Sequence, residues 1–127
     1  MRKDTEEFLK SAEEDLSAAE ELFRTKKYRI VVFHCQQAAE KYLKAYLLEK
    51  FNKYPFIHSI SELIELATEL DADFEYLFNI NAQTLDEYYT KTRYPPLLKV
   101  SEEEAREAIK IAEKVKDFIL KKLNIEK

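Results

Sequence analysis

The stretch YRIVVFHCQQAAEKYLKAYL, residues 28–47, decides how this chain is read. At about 100° per residue, Tyr28, Val31, Val32, Cys35, Ala38, Ala39, Tyr42, Leu43 and Tyr46 share one broad arc. The segment therefore reads as a helix with a wide apolar face. His34, Gln37, Lys41 and Lys44 follow one another at helical spacing and form a polar stripe along one edge of that arc. Such a row can hydrogen-bond a base or sugar and neutralise phosphate. It can equally be a boundary stripe, with lysine stems covering apolar surface and the histidine meeting a carboxylate. Periodicity alone favours the second account.

The helical period continues on both sides. Asp4 with Glu7 three residues later opens a first helix bearing Phe8, Ala12, Leu16, Ala19 and Phe23, which runs to about Arg24. RTKKY is a polar break, and the second helix extends from about Lys27 to Phe51. FNKYPF ends it, because Pro55 cannot continue a helix and disfavours α geometry at Tyr54. Ser59 and Glu62 make a capping box for a third helix carrying Leu63, Ile64, Ala67 and Leu70. DADFEYLFNI reads as a short helical turn leading into a fourth helix over Ala82 to Thr92. The two prolines of RYPPLLKV stop that helix, and Ser101 with Glu104 caps a last one carrying Ala105, Ala108, Ile109, Ala112, Val115 and Ile119. The expected fold is all-α: an up-and-down bundle of four long helices plus a short one, without a sheet, as a single domain over residues 1–127.

Composition narrows the function classes. The chain has no Gly, which removes the usual residue for tight hairpins and left-handed caps and excludes any P-loop or GxGxxG fingerprint. Cys35 is the one cysteine, so no intramolecular disulfide can form and a cysteine metal site is implausible. His34 and His58 lie 24 positions apart with no marked carboxylate partners, so no metal or other cofactor is expected. No apolar run reaches the roughly 18 residues of a membrane span, and MRKDTEEFLK has no signal-peptide core. A cytoplasmic protein is expected.

Charge is segregated along the chain. Residues 24–53 hold eight basic and two acidic side chains, and residues 91–100 hold three basic and none acidic. Residues 54–90, between them, hold eight acidic side chains and no basic ones. If the two basic segments meet in space, an overall acidic protein acquires a local cationic site suited to a phosphate-bearing ligand.

FHCQQAAEKYLKAYL, followed by PFIHSISELIELA and then LDEYYTKTRYP, resembles the HEPN family, helical domains of higher eukaryotes and prokaryotes named for proposed nucleotide binding. The likeness lies in a His-x-Gln-Gln-Ala-x-Glu-Lys-x-Leu-Lys-Ala helix, a Pro-x-x-His loop and a Tyr-x-x-x-Arg-Tyr-Pro end, in that order. It implies a helical bundle that pairs as a homodimer and works beside a minimal nucleotidyltransferase partner, as in toxin–antitoxin pairs. On that resemblance, a nucleotide such as ATP or GTP would be held by His34, Gln37, Lys41, Lys44, His58, Arg93 and Tyr94. Lys41, Lys44 and Arg93 would neutralise phosphates, His34 and Gln37 would hydrogen-bond the ligand, and His58 would line the site from its loop. Gln36 and Glu40 are candidates for packing or a dimer contact, and Tyr42 and Tyr46, on the buried arc, for the core or a dimer interface.

The same family contains metal-independent endoribonucleases, marked by Arg, four to six residues, then His late in the chain. Here no histidine follows His58, so Arg93 lacks that partner. Arg29 and His34 match the spacing formally, but five residues along a continuous helix place them about 140° apart. RNA cleavage therefore stands as the alternative to nucleotide binding, with a purely structural module as the third reading. Near Arg93, Tyr88, Tyr89 and Tyr94 can either support base stacking or fill the gap where the loop crosses the bundle.

Overall fold

In the computed structural model, which describes residues 1–125, five α-helices follow in the order α1 (Lys3–Arg24), α2 (Tyr28–Phe51), α3 (Ile60–Leu70), α4 (Glu75–Asn79) and α5 (Glu102–Lys122). Two 3₁₀ segments, Ala72–Phe74 and Ala82–Tyr88, lie between α3 and α5. The described residues contain no strand, and the fold is an all-α bundle. No helix among them is long and apolar enough to cross a membrane.

Helix α2 is the centre of the bundle and packs against α1, α3, α5 and the second 3₁₀ segment. Its predicted arc is buried from Val31 to Tyr46, with Tyr28 packed at the edge of the core. A helix surrounded on several sides must also bury residues off its apolar arc. Gln36, Glu40 and Lys44 are accordingly buried as well, and buried polar groups require partners. Ala12, Leu16 and Ala19 of α1 and Ala105, Ala108, Ala112, Val115 and Ile119 of α5 close the core on two sides. Small residues on these faces allow the helices to approach closely.

Local signals explain several helix ends. At Ser101 the capping box is complete: Glu104 N–H donates to Ser101 Oγ, and Ser101 N–H donates to the Glu104 carboxylate. Ser59 accepts from Glu62 N–H at the start of α3. Asp4 differs from expectation. It lies inside the first turn of α1 rather than at its cap, where its carboxylate favours the helix dipole and pairs with Arg2. In place of glycine, the chain turns through left-handed Lys26, Asn52, Asn81 and Asn124. Three of these four are asparagine, the non-glycine residue that visits this region most readily.

The segment expected as a fourth α-helix over residues 82–92 is instead the 3₁₀ segment Ala82–Tyr88 followed by turns. Its buried residues, Ala82, Leu85 and Tyr88, recur every three positions. That spacing eclipses side chains in a 3₁₀ helix and gives one buried stripe. Asp86, on the same segment, accepts from the backbone N–H groups of Ile60 and Ser61 and from Ser59 Oγ. One carboxylate thereby ties this segment to the first turn of α3.

Candidate functional site

Both histidines of the described residues are held in the same way. His34 Nδ1 lies 2.8 Å from Asp15 Oδ1, and Lys41 Nζ donates to Asp15 Oδ2 at 2.6 Å. His58 Nδ1 lies 2.9 Å from Glu40 Oε2, and Lys44 Nζ donates to the same oxygen at 2.9 Å. Each set is an imidazole, a mostly buried carboxylate and an ammonium. Gln36 completes the second set, donating to Glu40 Oε1 at 3.0 Å and to the His58 carbonyl at 3.3 Å. Gln37 donates to Gln36 Oε1 at 2.7 Å and so supports the second set.

The electrostatics follow from these contacts. Burial alone would raise the Asp15 carboxyl, but hydrogen bonds from His34 and Lys41 outweigh it and hold the group below its ordinary range. Burial, reinforced by the bond to Glu13, pushes the Tyr42 hydroxyl up. Burial also pushes the Cys35 thiol up, which makes it a poor nucleophile. Tyr88 is pushed up to about 12, chiefly by burial.

Arg93 lies in an aromatic cluster. Its guanidinium carbon is 4.5 Å from the Tyr89 ring centre, 5.4 Å from that of Tyr94 and 5.7 Å from that of Phe33. Its Nε donates to the Tyr89 carbonyl at 2.9 Å, and it forms no ion pair with a carboxylate among the described residues. The two histidines approach this cluster through its rings. His58 stacks on Tyr89 at 4.5 Å with planes 15° apart, and His34 meets Phe33 edge-on at 5.5 Å. Arg29 donates to the Thr92 carbonyl, which ties the 88–94 turn to the start of α2. The two basic segments therefore do meet.

The structure thus brings His58, Arg93 and Tyr94 together, with His34 at the edge. Lys41 is held by Asp15, while Lys44 is buried against Glu40 with its Nζ 5.5 Å from the Tyr54 ring. Arg29 and His34 engage different partners, Thr92 and Asp15. The candidate interface residues Gln36, Glu40, Tyr42 and Tyr46 are all buried within the single chain, where Tyr46 packs on Phe74. Sequence reasoning left out Asp15 and Phe33. Phe33 sits beside the polar stripe and was visible as an aromatic next to His34. Asp15 is one of several acidic residues on α1, and only the packing of α1 on α2 singles it out.

An all-α bundle centred on the His-Cys-Gln-Gln helix, with its histidine loop and Arg-Tyr-Pro turn converging on one face, defines a HEPN-type domain. The chain matches the HEPN domain family across residues 5–123 and belongs to it. It is 32% identical over 136 aligned positions to a protein of Methanocaldococcus jannaschii named "Putative toxin MJ1304", covering 93% of this chain and 90% of that one. Its fold is similar to the crystal structure of TT1696 from Thermus thermophilus, with a TM-score of 0.79 and 30% identity over 95% of this chain and 99% of that chain. It is also similar to ST0689, an archaeal HEPN homologue, with a TM-score of 0.74 and 29% identity over 96% and 98% of the two chains.

Proposed function

We propose that this chain is the nucleotide-binding HEPN module of a toxin–antitoxin-like pair, acting with a nucleotidyltransferase-type partner. The observation that carries the binding half is Arg93. It is an exposed guanidinium framed by Phe33, Tyr89 and Tyr94, with no carboxylate partner among the described residues. A cation held against aromatic faces suits a phosphate beside a stacked base. Tyr94, 60% exposed, offers the most open ring of the cluster. His58 and His34 border the same cluster. Lys41 and Lys44 act chiefly by holding the carboxylates that hold the histidines. The pairing half rests on the family and on the toxin name of the Methanocaldococcus relative. A homodimer remains part of the proposal, using surface other than the buried Gln36, Glu40, Tyr42 and Tyr46.

A second reading, metal-independent RNA cleavage, is favoured by one contact. The loop histidine that does not follow Arg93 in sequence reaches its neighbourhood in space, through the ring of Tyr89. Calorimetric titration of ATP, GTP and adenosine into the protein and into Arg93→Ala tests the first reading. Saturable binding that requires both phosphates and Arg93 supports it, and flat traces for the nucleotides sink it. Incubating single-stranded RNA with the protein in chelator tests the second, where cleavage must vanish in His58→Ala.

A further inference from the structure

We infer that His58 is a hydrogen-bond acceptor for a ribose hydroxyl, so that the site selects ribonucleotides over sugars lacking both the 2′ and 3′ hydroxyls. The inference rests on the nucleotide reading above and adds to it a substrate class and a named atom.

The geometry fixes which nitrogen faces the ligand. Nδ1 of His58 points at Glu40 Oε2, which also accepts from Lys44, while Gln36 holds the other carboxylate oxygen. A carboxylate oxygen can only accept, so Nδ1 must carry the proton. The charge of Glu40 is already matched by the Lys44 ammonium, so the bond requires only a neutral imidazole. In the neutral ring Nε2 then has a lone pair and no proton. It makes no hydrogen bond among the described residues, and the His58 side chain is 51% exposed. Stacking on Tyr89 and the bond from Gln36 to the His58 carbonyl fix the ring plane and the backbone behind it.

A phosphate oxygen brings no proton to such a nitrogen, whereas a hydroxyl does. Phosphate falls to Arg93, which covers the same Tyr89 ring that His58 stacks on. The groups around the imidazole are Glu40 and Lys44 from α2, and Tyr89 and Arg93 from the 88–94 turn; none of them presents a second acceptor at Nε2. The His58 ring, with its Nε2 acceptor, and the Arg93 guanidinium carbon each lie 4.5 Å from the centre of the Tyr89 ring and offer partners of the right kind for a hydroxyl and a phosphate of a ribonucleotide. Glu40 acts as a positioning residue, since it sets the tautomer without reaching the ligand.

The test titrates ATP and 2′,3′-dideoxy-ATP into the protein. Loss of one hydrogen bond should weaken the dideoxy compound roughly three- to tenfold. In His58→Phe, which keeps a ring for Tyr89, the two nucleotides should bind alike. Nitrogen-15 NMR of the histidine rings reads the tautomer directly: His58 should carry its proton on Nδ1, and Glu40→Gln should redistribute it toward Nε2. Equal binding of ATP and dideoxy-ATP by the unaltered protein, or an Nε2-protonated His58, overturns the inference while leaving nucleotide binding intact. Absence of binding by ATP itself overturns the nucleotide reading and this inference with it.

Discussion

His58 and Glu40 are joined through Nδ1 and Oε2 at 2.9 Å, across a gap of 18 residues in sequence. The contact pins the loop after α2 back onto the middle of α2. It also places a half-exposed imidazole over a carboxylate that is only 7% exposed. The position of the candidate site thus depends on a charge network inside the bundle.

Glu40→Ala should be among the most destabilising single changes. It leaves the Lys44 ammonium buried without a counter-charge, a loss of about 3–5 kcal/mol for a broken buried pair. Replacing Glu40 and Lys44 together with leucine and methionine should cost much less, because no uncompensated charge remains. Urea unfolding of both variants measures the difference.

Asp15 predicts an acid-side loss of stability with a definite sign. Burial acts to raise its carboxyl, but hydrogen bonds from His34 and Lys41 prevail and hold it below its ordinary 3.8 in the folded chain. A lowered folded value stabilises the protein fully above the unfolded value and is lost as pH falls through the folded one. Stability should therefore fall as pH drops below about 4, and Asp15→Asn should lack that component. Denaturant titrations at neutral pH and in acid, on both proteins, check it.

Asp86→Ala should loosen the junction between the second 3₁₀ segment and α3. The carboxylate serves two backbone N–H groups and Ser59 Oγ at that helix start, so its loss should cost about 1–2 kcal/mol, the upper range for a cap. Amide hydrogen exchange should rise first at Ile60 and Ser61.

Asn81 is left-handed at φ 66°, and here the missing glycine has a consequence. Asn81→Gly should be tolerated or slightly stabilising, whereas Asn81→Val should cost roughly 1–2 kcal/mol from the clash of its Cβ substituents. Thermal melts of the two variants should separate in that order.

The bundle was legible in sequence wherever the signal is local. The arc from Val31 to Tyr46 and the Ser59 and Ser101 caps depend on residues within a few positions of one another. The 82–88 segment was not, because a 3₁₀ helix with apolar residues every third position resembles a weak α-helix over so short a run. At the site, His34, His58 and Arg93 were visible as residue types, and charge segregation marked two basic segments whose meeting, through Arg29 and the Thr92 carbonyl, only the fold decides. Their partners were not visible. Asp15 is one of eight acidic residues before residue 24, and only the register of α1 on α2 selects it. Lys41 and Lys44 look alike in the helix, yet Lys44 is buried at 5% while Lys41 stays half-buried at the edge. The stripe answers to its boundary description: Lys41 and His34 meet Asp15, and Lys44 meets Glu40, the carboxylate that also holds His58.

The most direct test of the account is an NMR titration of ATP into the nitrogen-15-labelled protein. Saturable shifts at Arg93 Nε, at the ring nitrogens of His58 and at the backbone amides of Tyr89 to Tyr94 are the predicted result. Absence of saturable shifts, or shifts confined to surfaces away from Arg93 and His58, would contradict it.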